Sequence, residues 1–152
     1  MKILNFGSLN LDYVYGVEHF VRPGETIRPK QFARHLGGKG FNQSVAMARA
    51  GARLFHAGKI GADGKDFPDL LRSLEVDTSY IRECENVTGQ AVIQVDESGQ
   101  NCILLNGGAN AEVDEAFIDE VLSHFEPGDL LLIQNEISGI AHLLETARKK
   151  GM

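Results

Sequence analysis

The residues best suited to chemistry begin with a glycine-rich segment that contains a lysine, LGGKGFNQS at residues 36 to 44. Its three glycines lie around Lys39, and the residues that follow predict the first turn of a helix. Glycine allows a backbone to approach a ligand closely, and N–H groups at a helix start carry partial positive charge. The segment is therefore suited to phosphate or to uncharged sugar hydroxyls, and its structural alternative is a tight turn whose lysine points into water.

Two phosphate-binding motifs do not fit this segment. A P-loop needs G-x-x-x-x-G-K followed by Ser or Thr, whereas residues 38 to 40 read GKG. The dinucleotide fingerprint G-x-G-x-x-G should follow the first strand, where residues 7 to 10 read GSLN. The glycines alone do not predict a nucleotide site.

Further polar residues follow two predicted strands. Asn10 and Asp12 come just after the first apolar run, and Glu136 comes just after a later one. Ligands of open α/β sheets bind beyond the carboxyl ends of the strands, so we expect these residues to ring one cavity with Lys39 and Asn42. Carboxylates accept hydrogen bonds while amides and the ammonium donate them, a combination that suits adjacent hydroxyl groups. Taken singly, each residue has a structural alternative as a turn, cap or surface residue.

The elements that must position these residues alternate along the chain. Continuous apolar runs predict buried strands at residues 2–7, 54–61 and 129–135. Helical periodicity and stop signals predict helices at residues 42–50, 66–76, 115–125 and 138–150. In the first of these helices, the small side chains of Ala46 and Ala50 are expected to face a sheet. Alternating strands and helices imply right-handed crossovers and a parallel, doubly wound α/β sheet.

Two regions interrupt this alternation and predict a separate small sheet. Residues 88–108 alternate around a Ser-Gly turn, which is typical of a β-hairpin. Strand-like segments at residues 13–17 and 26–34 could pair with that hairpin. We expect a small antiparallel β lid within about residues 11–34 and 88–106.

Composition limits the partners and the cellular location. At 152 residues and 43% hydrophobic, the chain is expected to form one domain or part of one. A formal charge of -6 argues against nucleic acid and against an anionic membrane surface as partners. Two cysteines are too few for a disulfide framework, and no apolar run reaches the ~18 residues of a membrane span. The opening residues lack the apolar core and cleavage site that are typical of a signal peptide. A cytoplasmic protein is the expectation.

Five short motifs together carry a resemblance to a known family. They are GSLNLD at 7–12, RPGET at 22–26, GGKGFNQS at 37–44, TG at 88–89 and QNE at 134–136. With them the chain resembles the ribokinase-like (PfkB-type) carbohydrate kinase family over its whole length. Within that family it most resembles the ribokinase branch. The resemblance implies the three-layer, doubly wound (Rossmann-like) fold of that family, with its lid.

The resemblance also implies a reaction and a set of binding residues. The reaction is transfer of the ATP γ-phosphoryl group to the primary hydroxyl of a pentose, ribose first, with fructose or a nucleoside as alternatives. The implied sugar-binding residues are Asn10, Asp12, Gly38 (through its backbone N–H), Lys39, Asn42 and Glu136. The lid would cover the sugar and pair with the lid of a second subunit, giving a homodimer. The cofactors implied are ATP and Mg²⁺, with K⁺ as an optional addition.

Some family features are not found in the sequence. The D-T-x-G-A-G-D signature, whose last aspartate is the catalytic base, does not occur, and neither does an N-x-x-E segment for magnesium. A smaller departure is Asp66, where the family usually has glycine. We therefore expect residues 1–152 to be the N-terminal portion of a kinase domain, without its ATP-binding half and inactive alone. A non-catalytic sugar-binding or assembly module is the alternative from another functional class.

Overall fold

A computed structural model describes the whole chain, residues 1 to 152, as eight strands and four α-helices with two short 3₁₀ turns. We number these elements in chain order. They are β1 (Ile3–Phe6), β2 (Asn10–Gly16), β3 (Gln31–Gly37), α1 (Lys39–Arg49), β4 (Phe55–Ile60), α2 (Asp66–Ser73), β5 (Asp77–Glu83), β6 (Gly89–Val95), β7 (Asn101–Asn106), α3 (Glu115–Leu122), β8 (Leu130–Ile133) and α4 (Ile140–Lys150), and the 3₁₀ turns are Ala62–Gly64 and Gly108–Glu112.

The main sheet contains four parallel strands in the order β5-β4-β1-β8. Leu4 and Phe6 of β1 are buried against the cluster formed by α3 and α4. On the opposite face, α1 and α2 contribute Phe41 and Phe67 to a second cluster. Since side chains of a strand point alternately to its two faces, the sheet lies between two helical layers. The predicted three-layer, doubly wound α/β fold is confirmed.

The second sheet has the order β3-β2-β6-β7 and needs one correction to the prediction. Its outer pairs, β2 with β3 and β6 with β7, are antiparallel as expected. Its central pair, β2 with β6, is parallel, and Asn10 lies opposite Gly89. Both central strands begin at the carboxyl edge of the main sheet and leave it in the same direction. The sheet is therefore mixed rather than wholly antiparallel.

Helix α1 differs from its predicted form in two respects. It begins at Lys39, three residues before the expected start at Asn42, because Gly38 is its N-cap. Its buried face consists of Gly40, Phe41 and Ser44, and this face packs on the strand ends. Ala46 and Ala50 are exposed, so the prediction that they face the sheet is wrong.

Three strands also differ from the predictions. Strand β5 was not predicted, and it forms one edge of the main sheet. Strand β8 forms the other edge, where Leu130 is 48% exposed, so it is not buried on both sides as its apolar run suggested. Strand β3 begins at Gln31, five residues later than expected, after an irregular stretch that contains Pro29.

None of the helices combines the length and the apolar character that crossing a bilayer would require.

Candidate functional site

The structure brings all six predicted site residues to one cavity of about 210 Å³ at the carboxyl edge of the main sheet. Asn10 and Asp12 reach it from the start of β2, and Gly38, Lys39 and Asn42 reach it from the start of α1. Glu136 reaches it from the loop after β8. Residues distant in the sequence thus share one site, and their roles in binding stay a prediction.

The backbone N–H groups at the start of α1 are already used inside the chain. Lys39 N donates to Glu136 Oε2 over 3.0 Å, and Gly40 N donates to Ser8 Oγ over 3.1 Å. Phe41 N donates to Ser8 O over 2.9 Å. The helix start therefore offers no open phosphate cradle, and its glycines serve close packing instead. A Cβ on Gly40 would lie 2.4 Å from Ser8 N.

Gly38 keeps one free donor next to the cavity. Its N–H has no acceptor within the chain, unlike the next three along the helix. Its backbone angles, φ 93° and ψ 141°, lie in a region open to glycine alone, and a Cβ would approach Ser8 O to 2.9 Å. Both facts require glycine at this position. Because the Gly38 N–H has no acceptor within the chain, it is available to a ligand oxygen.

Glu136 is held by three donors. Its carboxylate accepts from Ser8 Oγ over 2.7 Å, from Lys39 N, and from the Lys39 ammonium in an ion pair. Burial raises the pKa of Glu136, but the hydrogen bonds from Lys39 and Ser8 outweigh it and lower this pKa below its ordinary value. A charged acceptor therefore lies at a fixed place on the far side of the cavity.

Asp12 has no hydrogen-bond partner within the chain, although it lies between charged groups. Its pKa is raised above the ordinary value, first by burial; His35 lowers it and Glu136 raises it further. His35 is its cross-strand neighbour in β3. Gly37 leaves room for the carboxylate, because a Cβ there would lie 2.0 Å from Asp12 Oδ2. Asp12 is the acceptor in the cavity that remains free for a ligand.

Asn10 is oriented by a residue that the sequence did not single out, Asn110. Asn110 Nδ2 donates to Asn10 Oδ1 over 2.7 Å, and Asn110 also bonds to the backbone of Leu9 at both N and O. Asn110 is only 2% exposed. Its position after two glycines in GGAN was the available signal, since asparagine there favours a bonded turn.

An apolar wall faces these polar groups across the cavity. It consists of Ala91, Ile93, Ile103 and Leu105, which lie on β6 and β7. Ala91 pairs with Leu105 and Ile93 pairs with Ile103, so the four share one face of the second sheet. The period-2 pattern of the hairpin could have identified this wall. A cavity with polar groups on one side and apolar groups on the other suits a sugar ring, whose faces are apolar and whose edges carry hydroxyls.

A buried polar network lies beneath the site. Asn5 Nδ2 donates to Gly40 O and to Ser44 Oγ, both over 2.7 Å. Gln134 Nε2 donates to Asn5 Oδ1 over 2.8 Å, and Ser44 Oγ bonds to His56 Nδ1 over 2.8 Å. Burial lowers the pKa of His56 to about 4, so its ring is neutral at pH 7. The network joins β1, β4 and α1 to the loop that carries Glu136.

The chain shows no cluster of three or more His, Cys, Asp or Glu side chains that could hold a metal ion. Its residues therefore do not fit Mg²⁺ by themselves. The glycine segment does not fit the phosphates of ATP, because the N–H groups of Lys39, Gly40 and Phe41 are occupied and only that of Gly38 is free.

Comparison with known proteins gives a consistent result. A model of the "pfkB family carbohydrate kinase" matches residues 1–150. Ribokinase of Haemophilus influenzae is 36% identical over 151 residues, which cover 96% of this chain. The crystal structure of ribokinase from Cryptococcus neoformans in complex with ADP is 37% identical, covers 95% of this chain and superposes with a TM-score of 0.80. The structure of Arabidopsis thaliana ribokinase complexed with ribose and ATP is 27% identical, covers 99% and gives a TM-score of 0.81.

The chain spans about half the length of these relatives. It covers 49% of the Haemophilus protein, 45% of the Cryptococcus chain and 51% of the Arabidopsis chain.

Proposed function

The chain belongs to the pfkB family of carbohydrate kinases, and we propose that it forms the sugar-binding part of an ATP-dependent kinase that phosphorylates the primary hydroxyl of a pentose. Ribose is the first candidate, because relatives similar over nearly the whole chain are ribokinases. Fructose or a nucleoside is the alternative substrate. A cytoplasmic location is part of the same proposal.

One observation carries this proposal: the six residues expected to bind sugar line one cavity. Asp12 offers a free carboxylate, Gly38 offers a free N–H, and Glu136 offers a charged acceptor on the far side. Each ionised carboxylate can accept two hydroxyl donors. The apolar wall on β6 and β7 would then cover one face of the ring and exclude water.

The lid, the dimer and the cofactors are part of the same proposal. The second sheet acts as the lid, and it pairs with the lid of a second subunit. ATP supplies the phosphoryl group and Mg²⁺ neutralises its charge, with K⁺ as an optional addition; none of them is assigned to residues of this chain. Here the residues of the chain bind the sugar, orient its hydroxyls and exclude water.

Calorimetric titration of the chain with ribose tests the binding site. We expect millimolar or tighter binding, and we expect Asp12→Asn to weaken it by ~10-fold or more, since the neutral amide loses a charge-assisted hydrogen bond. Asp12→Ala should abolish binding. Unchanged affinity in both variants would show that the binding residues are misassigned.

The melting temperatures of the variants show whether a loss of ribose affinity reflects a lost contact or a lost fold. Because the folded-state pKa of Asp12 is raised, its ionised form costs folding free energy above that pKa and costs nothing at low pH. Asp12→Asn removes this cost, so its melting temperature at pH 7 should equal or exceed that of the wild type. The exposed variant Asp69→Asn is the control and should keep wild-type ribose affinity.

A second measurement concerns catalysis by the chain alone. The sequence has no D-T-x-G-A-G-D run to supply a base, and loss of a base typically costs a factor of ~10² or more. We expect no ribose-dependent ATP turnover in a coupled assay. Turnover by the isolated chain would contradict this part of the proposal.

A non-catalytic sugar-binding or assembly module is the second candidate function. It is favoured by the exposed aliphatic side chains of β7, where Leu104 is 73% and Leu105 is 62% exposed. Ribose binding without any ATP turnover, even when the half of a ribokinase that this chain does not match is added, would support this candidate over the kinase.

A further inference from the structure

The buried amide of Asn110 fixes which end of the Asn10 amide faces the cavity. Backbone N–H groups only donate, so the Asn110 atom that bonds to Leu9 N over 3.1 Å must be its oxygen. The other end of that amide is therefore the NH₂ group, which donates to Leu9 O over 3.2 Å and to Asn10 over 2.7 Å. The Asn10 atom that accepts this bond must in turn be its oxygen. The orientation of two amides follows from one backbone donor.

Asn10 Nδ2 is left with no partner inside the chain. Asn10 as a whole residue is 8% exposed, and it lines the cavity. Asn10 Nδ2 is not among the fully buried atoms that lack a partner, which are His56 Nε2 and Gln134 Oε1. It is therefore open to the cavity, where water or a ligand oxygen can accept its hydrogen bond. Asn10 thus presents a donor to the cavity, next to the free acceptor of Asp12.

Gly89 closes the space around this pair of amides. A Cβ at Gly89 would lie 2.1 Å from Asn110 Nδ2 and 2.2 Å from Asn10 Oδ1. Residues from the starts of β2 and β6 and from the second 3₁₀ turn therefore meet at one point. Asn110 presents its NH₂ group at this point, so a turned-over Asn10 amide would set two donors against each other, and the amide keeps its orientation while Asn110 is in place.

From this geometry we propose that Asn110 is a positioning residue, which holds Asn10 Nδ2 toward the cavity so that it donates to a hydroxyl oxygen of the sugar. The inference rests on the sugar-binding function proposed above. Asn10 as donor and Asp12 as acceptor together match a hydroxyl group, which accepts and donates at once. Asn110 itself touches no sugar and acts through Asn10.

The orientation is tested without any sugar by NMR of the Asn10 side-chain NH₂ group. In Asn110→Asp the new carboxylate can only accept, so the Asn10 amide should turn over and donate to it. We expect the exchange of the Asn10 NH₂ protons with water to slow several-fold in this variant. Unchanged exchange would overturn the proposal. Asn101→Asp, an exposed position on β7 with the same charge change, is the matched control and should have no effect.

The consequence for binding is tested by a double-mutant cycle with ribose. We expect Asn110→Asp to weaken ribose binding by ~10-fold or more, and to have no further effect in the Asn10→Ala background. Asn110→Ala, which frees Asn10 without adding charge, should behave likewise if the aspartate variant does not fold. A loss of affinity that persists without the Asn10 amide would overturn the positioning role. If the wild type binds no ribose, the proposed function fails, while proton exchange still decides the orientation.

Discussion

Individual side chains around the cavity differ in how much of their hydrogen-bonding capacity the chain itself uses. Glu136 and Ser8 bond to each other and to the start of α1. Asp12 and the NH₂ group of Asn10 are left unpaired beside them. Unpaired, partly buried polar groups cost folding free energy, and such costs are typical of sites that await a ligand. The paired residues fix the shape of the cavity, and the unpaired residues are the ones we expect a ligand to bind.

The buried side chain of His56 predicts that the stability of the fold depends on pH. The ordinary pKa of histidine is 6.5, and burial lowers that of His56 to about 4. Between these values the unfolded chain binds a proton that the folded chain does not, so stability falls as pH falls through this window. Protonation of His56 should lower the free energy of unfolding by about 3 kcal/mol between pH 7 and pH 4. Urea unfolding at pH 7, 6, 5 and 4 measures the loss.

A variant isolates the contribution of His56 from that of the carboxylates. His56→Asn should be less stable than the wild type at pH 7, and its stability should fall less between pH 6.5 and pH 5. Equal slopes for His56→Asn and the wild type would show that His56 titrates normally.

The sequence could predict some of these residues and not others. Asn10, Asp12 and Glu136 were found because each follows an apolar run whose end predicts the edge of a sheet. Asn110 could not be found in this way, since its partners lie about 100 residues away and only the fold brings them together. The absence of a hydrogen-bond partner for Asp12 is likewise a property of the packed structure.

Helix α1 depends on close contact between backbones at its first turn. Gly40 lies against Gly7 and Ser8, and an added Cβ would come within 2.4 Å of Ser8 N. Alanine is ordinarily the better helix former by about 1 kcal/mol. Packing and propensity therefore predict opposite effects for Gly40→Ala, which makes the variant informative.

We expect packing to dominate. Gly40→Ala should lower the free energy of unfolding by about 1–3 kcal/mol, as overpacking does, and should weaken ribose binding. Ala46→Gly, on the exposed side of the same helix, is the control; it should cost about 1 kcal/mol and leave binding intact. Urea unfolding measures both. A Gly40→Ala variant as stable as the wild type would mean that the first turn shifts freely.

There are physical reasons why the sequence patterns did not predict some elements correctly. Strand β5 reads DTSYIRE and has no fully buried position, because it is an edge strand, so it lacks the apolar run by which the other strands of the main sheet are predicted. The start of α1 was placed too late because GGKG resembles a loop, while the contacts with Ser8 that fix its first turn are tertiary. The parallel pairing of β2 with β6 also depends on where both strands leave the main sheet. Local pattern predicts the interior of an element better than its ends or its partners.

In the whole molecule, the second sheet joins the main body at positions rich in glycine. Gly37, Gly38, Gly89 and Gly107 lie where its strands begin or end. One side-chain link also spans the two parts: Arg34 of β3 bonds to Asp66 Oδ2 over 3.1 Å and to Asp63 O over 3.3 Å. Asp66 is the residue that departs from the family pattern. Exposed ion pairs of this kind contribute little, roughly 0–1 kcal/mol, so the cavity wall is held mainly by backbone pairing.

Strand β7, at the outer edge of that sheet, is where we expect two copies of the chain to contact each other. Leu104 of β7 is 73% exposed, and its neighbour across the strand pair, Val92, is 37% exposed. An edge strand with apolar side chains is a template for pairing with a second copy, so we expect a dimer through this sheet. Leu104→Glu should shift sedimentation equilibrium toward monomer by ~10-fold or more in dissociation constant, because a charge would be buried. Leu144→Glu on α4, an exposed leucine in the helical layer formed by α3 and α4, should leave assembly unchanged. A wild type that stays monomeric at every concentration, or a Leu104→Glu variant that still dimerises, would place any contact between subunits elsewhere.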